Sequence, residues 1–147
     1  MKTKQALLII TILWTLFIFS QSLLPGDVSS SQSGFIVDVL YPWVGRLGIN
    51  IQVDKFSFII RKLAHFTEYT ILGILLLLMY QDRFTNKKLY LISFLHGTIT
   101  AISDETIQRF VPNRSGELRD VLIDMGGVLF GVLIIHLVNR MLKLSKH

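Results

Sequence analysis

Cysteine is absent from the chain, which excludes a disulfide framework, a thiolate metal site and a cysteine nucleophile. Proline is scarce, and its three copies, Pro25, Pro42 and Pro112, each fall where an apolar run is interrupted. There is no internal repeat, and no low-complexity tract beyond the small patch Ser29-Ser30-Ser31. Charge is thin as well: Asp, Glu, Lys and Arg make up 17% of the 147 residues. What charge there is leans basic, with a formal net of +5. The basic residues lie between apolar runs rather than in a stripe with interleaved aromatics, which argues against nucleic acid as a partner. Cytoplasmic loops and anionic lipid head groups suit them better.

What is abundant is apolar surface. Hydrophobic residues make up 51% of the chain, more than a small soluble domain carries, and the length allows one domain at most. Four apolar segments stand out: Ala6 to Leu24, Ile59 to Tyr80, Leu89 to Gln108 and Val121 to Val138. Each approaches the ~20 residues a helix needs to cross the hydrocarbon core. Backbone in lipid must satisfy its own hydrogen bonds, so helices are expected. The expected fold is therefore all-α, a membrane bundle of four transmembrane helices at about 6–24, 59–80, 89–108 and 121–138, in a single domain. The first segment has an alternative reading as a cleaved signal peptide, with Lys2 and Lys4 ahead of it and small residues at Ser20-Gln21-Ser22.

Basic residues set the expected orientation. Lys2, Lys4, Arg83, Lys87, Lys88, Arg140, Lys143 and Lys146 would share one side, against Arg46, Lys55, Arg109, Arg114 and Arg119 on the other. The excess points to a multi-pass cell-membrane protein with both termini cytoplasmic, although Arg61 and Lys62 at the start of the second segment narrow the difference. The long stretch between the first two segments contains "GFIVDVLYPWVGRLGI", with Phe35, Ile36, Val39, Leu40, Trp43 and Leu47 at roughly helical spacing. It reads either as an interfacial amphipathic helix broken near Pro42 or as a loop packed over the mouth of the bundle.

Ionisable residues enter these segments at particular ends. They occupy the beginning of the second, the end of the third and the beginning of the fourth, and in an up-down-up-down bundle those three ends share one membrane face. Helical periodicity selects the inward side. Arg61, His65, Glu68 and Leu72 align on the second segment, flanked by Lys62 and Tyr69. Ala101, Asp104, Glu105 and Gln108 align on the third, with His96 and Thr100 deeper. Asp120, Asp124, Gly127 and Gly131 align on the fourth, the glycines permitting close helix approach. Ser20 and Gln21 are the expected contribution of the first. An ionisable group at mid-membrane costs about 2.5–3.5 kcal/mol on insertion scales. A merely structural network could be replaced by apolar packing, so the cluster is a functional candidate.

His65, Glu68, Asp104 and Glu105 are the candidate catalytic groups. His65 and Glu68 could act as base and orienter, as metal ligands or as an ion pair, and one of the adjacent carboxylates Asp104 and Glu105 is expected to orient a basic partner. Lys62, Tyr69, Gln108, Arg114, Asp120 and Asp124 are candidate substrate-binding residues. Arg114 lies in "VPNRSGELRD", a turn marked by Pro112, Asn113 and Gly116, where a guanidinium suits bidentate capture of phosphate or carboxylate. No spacing matches a metal-ligand signature, so neither metal nor cofactor is expected. His96 reads as a packed polar group, and His136 and His147 as tail-side residues.

At these residues the chain resembles the VanZ-like family of small membrane proteins. The likeness rests on "FSQSLLPGDVSSSQS", then "KLAHFTEYTILG", then "SDETIQRFVPNRSGELRDVLIDMGGVLFG", in that order. It departs at Asp124, where the family pattern more often places Asn, and Asn113 stands where Gly would fit. The resemblance implies an integral membrane protein that lowers susceptibility to teicoplanin-type glycopeptides. Those drugs anchor a fatty tail in the outer leaflet beside lipid-linked wall precursors. Membrane lipids, such a precursor or the drug itself are then the expected partners. Three roles remain open: an outer-leaflet hydrolase or transferase with His65 as general base, a binding module that changes no bond, or a transporter, which would require oligomerisation.

Overall fold

A computed structural model describes residues 2–144; Lys146 and His147 lie outside them. Among the described residues the chain is all-helical, with α1 (Lys2–Ser22), α2 (Gly26–Arg46), α3 (Val53–Tyr80), α4 (Asn86–Gln108) and α5 (Leu118–Leu144), and no strand.

Local chemistry sets the boundaries. α1 stops at Ser22 rather than Leu24, because Pro25 disfavours helical backbone in the residue before it. α2 starts immediately after that proline. Its far end is closed by Gly48, which adopts a positive φ of 75°. The Gly48 N–H donates to the Gly45 carbonyl at 3.0 Å and the Ile49 N–H to Val44 at 3.2 Å, the two bonds of a Schellman cap. The expected break near Pro42 does not occur: the helix continues through it to Arg46. The Ser-rich patch is helical as well. Proline removes one backbone donor and costs a helix interior about 3 kcal/mol, but two further turns and the glycine cap sustain the helix beyond it.

α3 is central and packs against all four other helices, most extensively against α5. The core beside the polar site is formed by Ile18, Tyr69, Leu72, Leu76, Ala101, Val121 and Val128. Glycines set the α3–α5 separation. A Cβ on Gly127 would lie 2.5 Å from the Phe66 carbonyl oxygen, and one on Gly131 would collide with that of Thr70. Successive packed helices run in opposite directions. Lys4 pairs with Asp82 in the α3–α4 turn at 3.1 Å, and Tyr90 early in α4 meets His136 late in α5 at 2.7 Å. At the opposite end Ser22 hydrogen-bonds Asp104.

Three helices are long and apolar enough to cross a membrane: α1 over Lys4–Ser22, α3, and α5 over Leu118–Leu142. α4, expected as a fourth, does not reach that threshold, because its buried side is polar: Ser93, Thr100, Asp104, Glu105 and Gln108. Large apolar side chains such as Leu13, Leu91, Ile99 and Leu122 point outward on α1, α4 and α5. An apolar exterior over a polar interior is the arrangement of a membrane protein.

Candidate functional site

Four helices deliver polar side chains to one end of the bundle. α1 supplies Ser22, α3 supplies Lys62, His65 and Glu68, α4 supplies Asp104, Glu105 and Gln108, and α5 supplies Asp120 and Asp124. The periodic faces expected of α3, α4 and α5 therefore point inward. Ala101, Asp104, Glu105 and Gln108 are all buried, as are Asp120 and Asp124.

Asp104 is the most elaborately held. It accepts a hydrogen bond from the Ser22 hydroxyl, while Gln108 Nε2 reaches both the other carboxylate oxygen at 3.4 Å and Ser22 Oγ at 3.2 Å. Glu105 accepts the backbone N–H of Glu117 at 3.0 Å. Asp104 is thus held by a hydroxyl and an amide and Glu105 by a main-chain donor, and of the two it is Asp104 that lies beside a basic side chain, His65. Asp124 is fully buried and neither of its oxygens has a hydrogen-bond partner; the same holds for the Tyr69 hydroxyl and His65 Nδ1. One ligand atom from each of His65, Asp104 and Asp124 lies within 4.8 Å of the others, so these three could hold a metal ion.

Nearer the surface, Lys62 and Asp120 form an ion pair at 2.5 Å. Arg114 tucks under the end of α1, its Nη2 donating to the Gln21 carbonyl at 2.8 Å and its Nε to Leu24 at 3.3 Å. A cation at a helix C-terminus meets the negative end of the dipole and carbonyls that lack intrahelical donors. Burial presses the Arg114 pKa below the ordinary guanidinium value, and Asp104 and Glu105 oppose that shift, so it remains a cation. The turn that carries it is shaped by Asn113, whose φ of 58° explains why glycine would fit there. The turn docks on α2, with Gly26 N–H donating to Pro112 at 3.1 Å and Asn113 Nδ2 to Asp27 at 3.1 Å.

Two cavities adjoin the cluster. A polar one of about 240 Å³ is walled by Lys62, His65, Gln108, Arg114 and Asp120, with Ser29 and Ser30 of α2. A second, of about 300 Å³, is walled by Phe17, Ile36, Ile60, Glu68 and Arg114. The two share Ser29, Arg61, His65 and Arg114, so the polar chamber adjoins a partly apolar one. A larger cavity of about 470 Å³ lies at the other end, beside Lys4, Met79 and His96, remote from the cluster.

Several expectations change. No hydrogen bond joins His65 to Glu68, because His65 lies with Asp104 and Asp124 instead. Arg119, counted above only for orientation, faces Glu117 at 3.2 Å on the surface. Tyr69 and Asp124 lie beneath the cavities and line neither. At the tip of α1 it is Ser22 that enters the site. Ser20 is turned back on the Phe17 carbonyl, and Gln21 contributes its main-chain oxygen. Ser22 was legible in principle, since the buried Thr11, Ile18 and Ser22 follow i, i+7, i+11. His96 is packed in the bundle as expected, bonded to Tyr80 Oη at 3.0 Å.

The VanZ/LLP1 family model matches residues 7–139. The chain belongs to this VanZ-like family. No curated protein and no solved structure matches it. In this VanZ-like protein the three stretches that carry the likeness meet in space. The first touches the third through Ser22–Asp104, Gly26–Pro112 and the Arg114 bonds, and the second touches the third through Lys62–Asp120.

Proposed function

We propose that this VanZ-like protein is a single-domain, four-span bundle that receives the anionic head group of a lipid or lipid-linked wall precursor at the outer leaflet. α4 is the fourth span, its polar side covered by its neighbours. α2 lies along the interface, exposing Phe35, Val39 and Trp43 to the head-group zone where Trp is favoured. Both termini are then cytoplasmic in the cell membrane. Holding such an amphiphile where teicoplanin-type drugs anchor would lower susceptibility to them, as family membership leads one to expect.

The observation that carries the proposal is the joined pair of cavities. Lys62, Arg61 and Arg114 gather around the polar chamber, and the adjoining chamber has an apolar wall of Phe17, Ile36 and Ile60. A phosphate would sit in the first and an acyl or prenyl chain would leave through the second. We favour binding over hydrolysis or group transfer because the adjoining polar and partly apolar cavities together suit an intact amphiphile.

Arg61 offers a clean test. Its side chain hydrogen-bonds Ser30 at 3.4 Å on the exposed surface, so Arg61→Ala removes a chamber cation without breaking a buried hydrogen bond. A hydrogen bond to a charged group contributes about 1.5–3 kcal/mol, so phospholipid or precursor retained through purification should fall about tenfold or more, with folding intact. Identical lipid profiles for Arg61→Ala and wild type would remove the head-group proposal. A chemically altered lipid that appears only with the protein would replace it by the enzymatic one.

A further inference from the structure

We propose that His65, Asp104 and Asp124 hold a divalent transition-metal ion, of the Zn²⁺ or Mn²⁺ class, beneath the floor of the polar chamber. The ion lies deeper than the head group of that proposal and shares only His65 with it, because Asp104 and Asp124 wall neither chamber.

Three donors from three different helices lie within 4.8 Å of one another. Metal–nitrogen and metal–oxygen bonds of about 2.1 Å place neighbouring ligand atoms roughly 3–4 Å apart, so modest inward rotamer adjustment closes the set. Their hydrogen bonding is divided in a telling way. Asp104 is fixed from outside by Ser22 and Gln108, the outer support that orients a ligating carboxylate. Asp124, 0% exposed, is fixed by nothing, and both its oxygens together with His65 Nδ1 lack a hydrogen-bond partner. A buried carboxylate with no partner is costly, and a cation held between Asp124 and His65 would give it one.

Charge agrees with this. Setting aside Glu117, which Arg119 pairs on the surface, the site assembles Glu68, Asp104, Glu105, Asp120 and Asp124 against Arg61, Lys62 and Arg114. Fully ionised, it has two more negative than positive charges, which one divalent ion neutralises. An imidazole nitrogen with two carboxylates suits Zn²⁺ or Mn²⁺ better than Ca²⁺ or Mg²⁺, which favour all-oxygen shells. His65 lines both cavities and so provides the entry route and an open side for water.

The test uses untagged full-length protein in detergent, stripped with EDTA and dialysed against micromolar Zn²⁺ or Mn²⁺. Inductively coupled plasma mass spectrometry should find one ion per chain. Asp124→Asn and His65→Gln, which keep side-chain size, should abolish stoichiometric retention, and Ser22→Ala should weaken it by about 10–100-fold. Surface Glu117→Gln should leave it unchanged. Pulsed electron paramagnetic resonance of Mn²⁺ in the wild type should show coupling to one imidazole nitrogen, a readout that needs no variant to fold. Wild-type protein without a stoichiometric ion, undiminished retention in the two ligand variants, or Mn²⁺ without nitrogen coupling would each overturn the site.

Discussion

Lys62 and Asp120 meet at 2.5 Å with only 20% and 10% of their side chains exposed, and at this depth each depends on the other. Removing one partner of a buried pair leaves an uncompensated charge and costs about 3–5 kcal/mol, whereas replacing both by apolar groups is often neutral. Lys62→Ala should therefore destabilise the protein by about 3 kcal/mol, the lower end because of the remaining exposure. The double variant Lys62→Met/Asp120→Leu should recover most of that loss. Thermal unfolding in detergent reads both, and equal destabilisation by single and double variants would mean the pair is not energetically coupled. Arg114 illustrates a different economy of residue use. Two of its donors serve main-chain carbonyls of the α1 end, so only the rest of the guanidinium is left to meet an anion.

At the scale of helices, the α3–α5 interface depends on missing side chains. A Cβ at Gly131 would strike the Thr70 carbonyl, whereas one at Gly126 would meet only a Phe66 ring carbon at 3.8 Å. Overpacking typically costs about 1–3 kcal/mol, so Gly131→Val should lower the unfolding temperature while Gly126→Ala leaves it nearly unchanged. A matched response of the two would show that the helices are free to separate. The same helices show what the sequence could reveal. Long apolar runs gave α1, α3, α4 and α5 approximately, and the 3.6-residue period gave the inward faces that carry His65, Asp104 and Asp124. α2 was harder, because Ser, Gly and Pro suppress helix propensity and the capping bonds around Gly48 are invisible in composition. Pairings were not legible. Periodicity brings His65 and Glu68 to one face but cannot say that His65 turns to two aspartates on other helices. Nor can it say that Arg114 turns to backbone rather than to a carboxylate.

At the scale of the whole molecule, many large apolar side chains face outward, while the buried carboxylates Asp104, Glu105, Asp120 and Asp124 gather at one end. Convergence is directly measurable, since the sequence has no cysteine to interfere. Ser22 Oγ and Gln108 Nε2 lie 3.2 Å apart, so Ser22→Cys/Gln108→Cys should be joined within one chain by a short bis-methanethiosulfonate. Ser22→Cys/Lys88→Cys should not, because twenty residues of helix set Lys88 about 30 Å from Gln108. Reaction of the second pair in place of the first would reverse the direction of α4 relative to α1. The Arg114 bonds carry a further consequence for biogenesis. The carbonyls of Gln21 and Leu24 precede their guanidinium donor by 93 and 90 residues. In the proposed topology those oxygens gain their guanidinium donor only once the α4–α5 turn has crossed the bilayer. The end of α1, made first, would then be completed last.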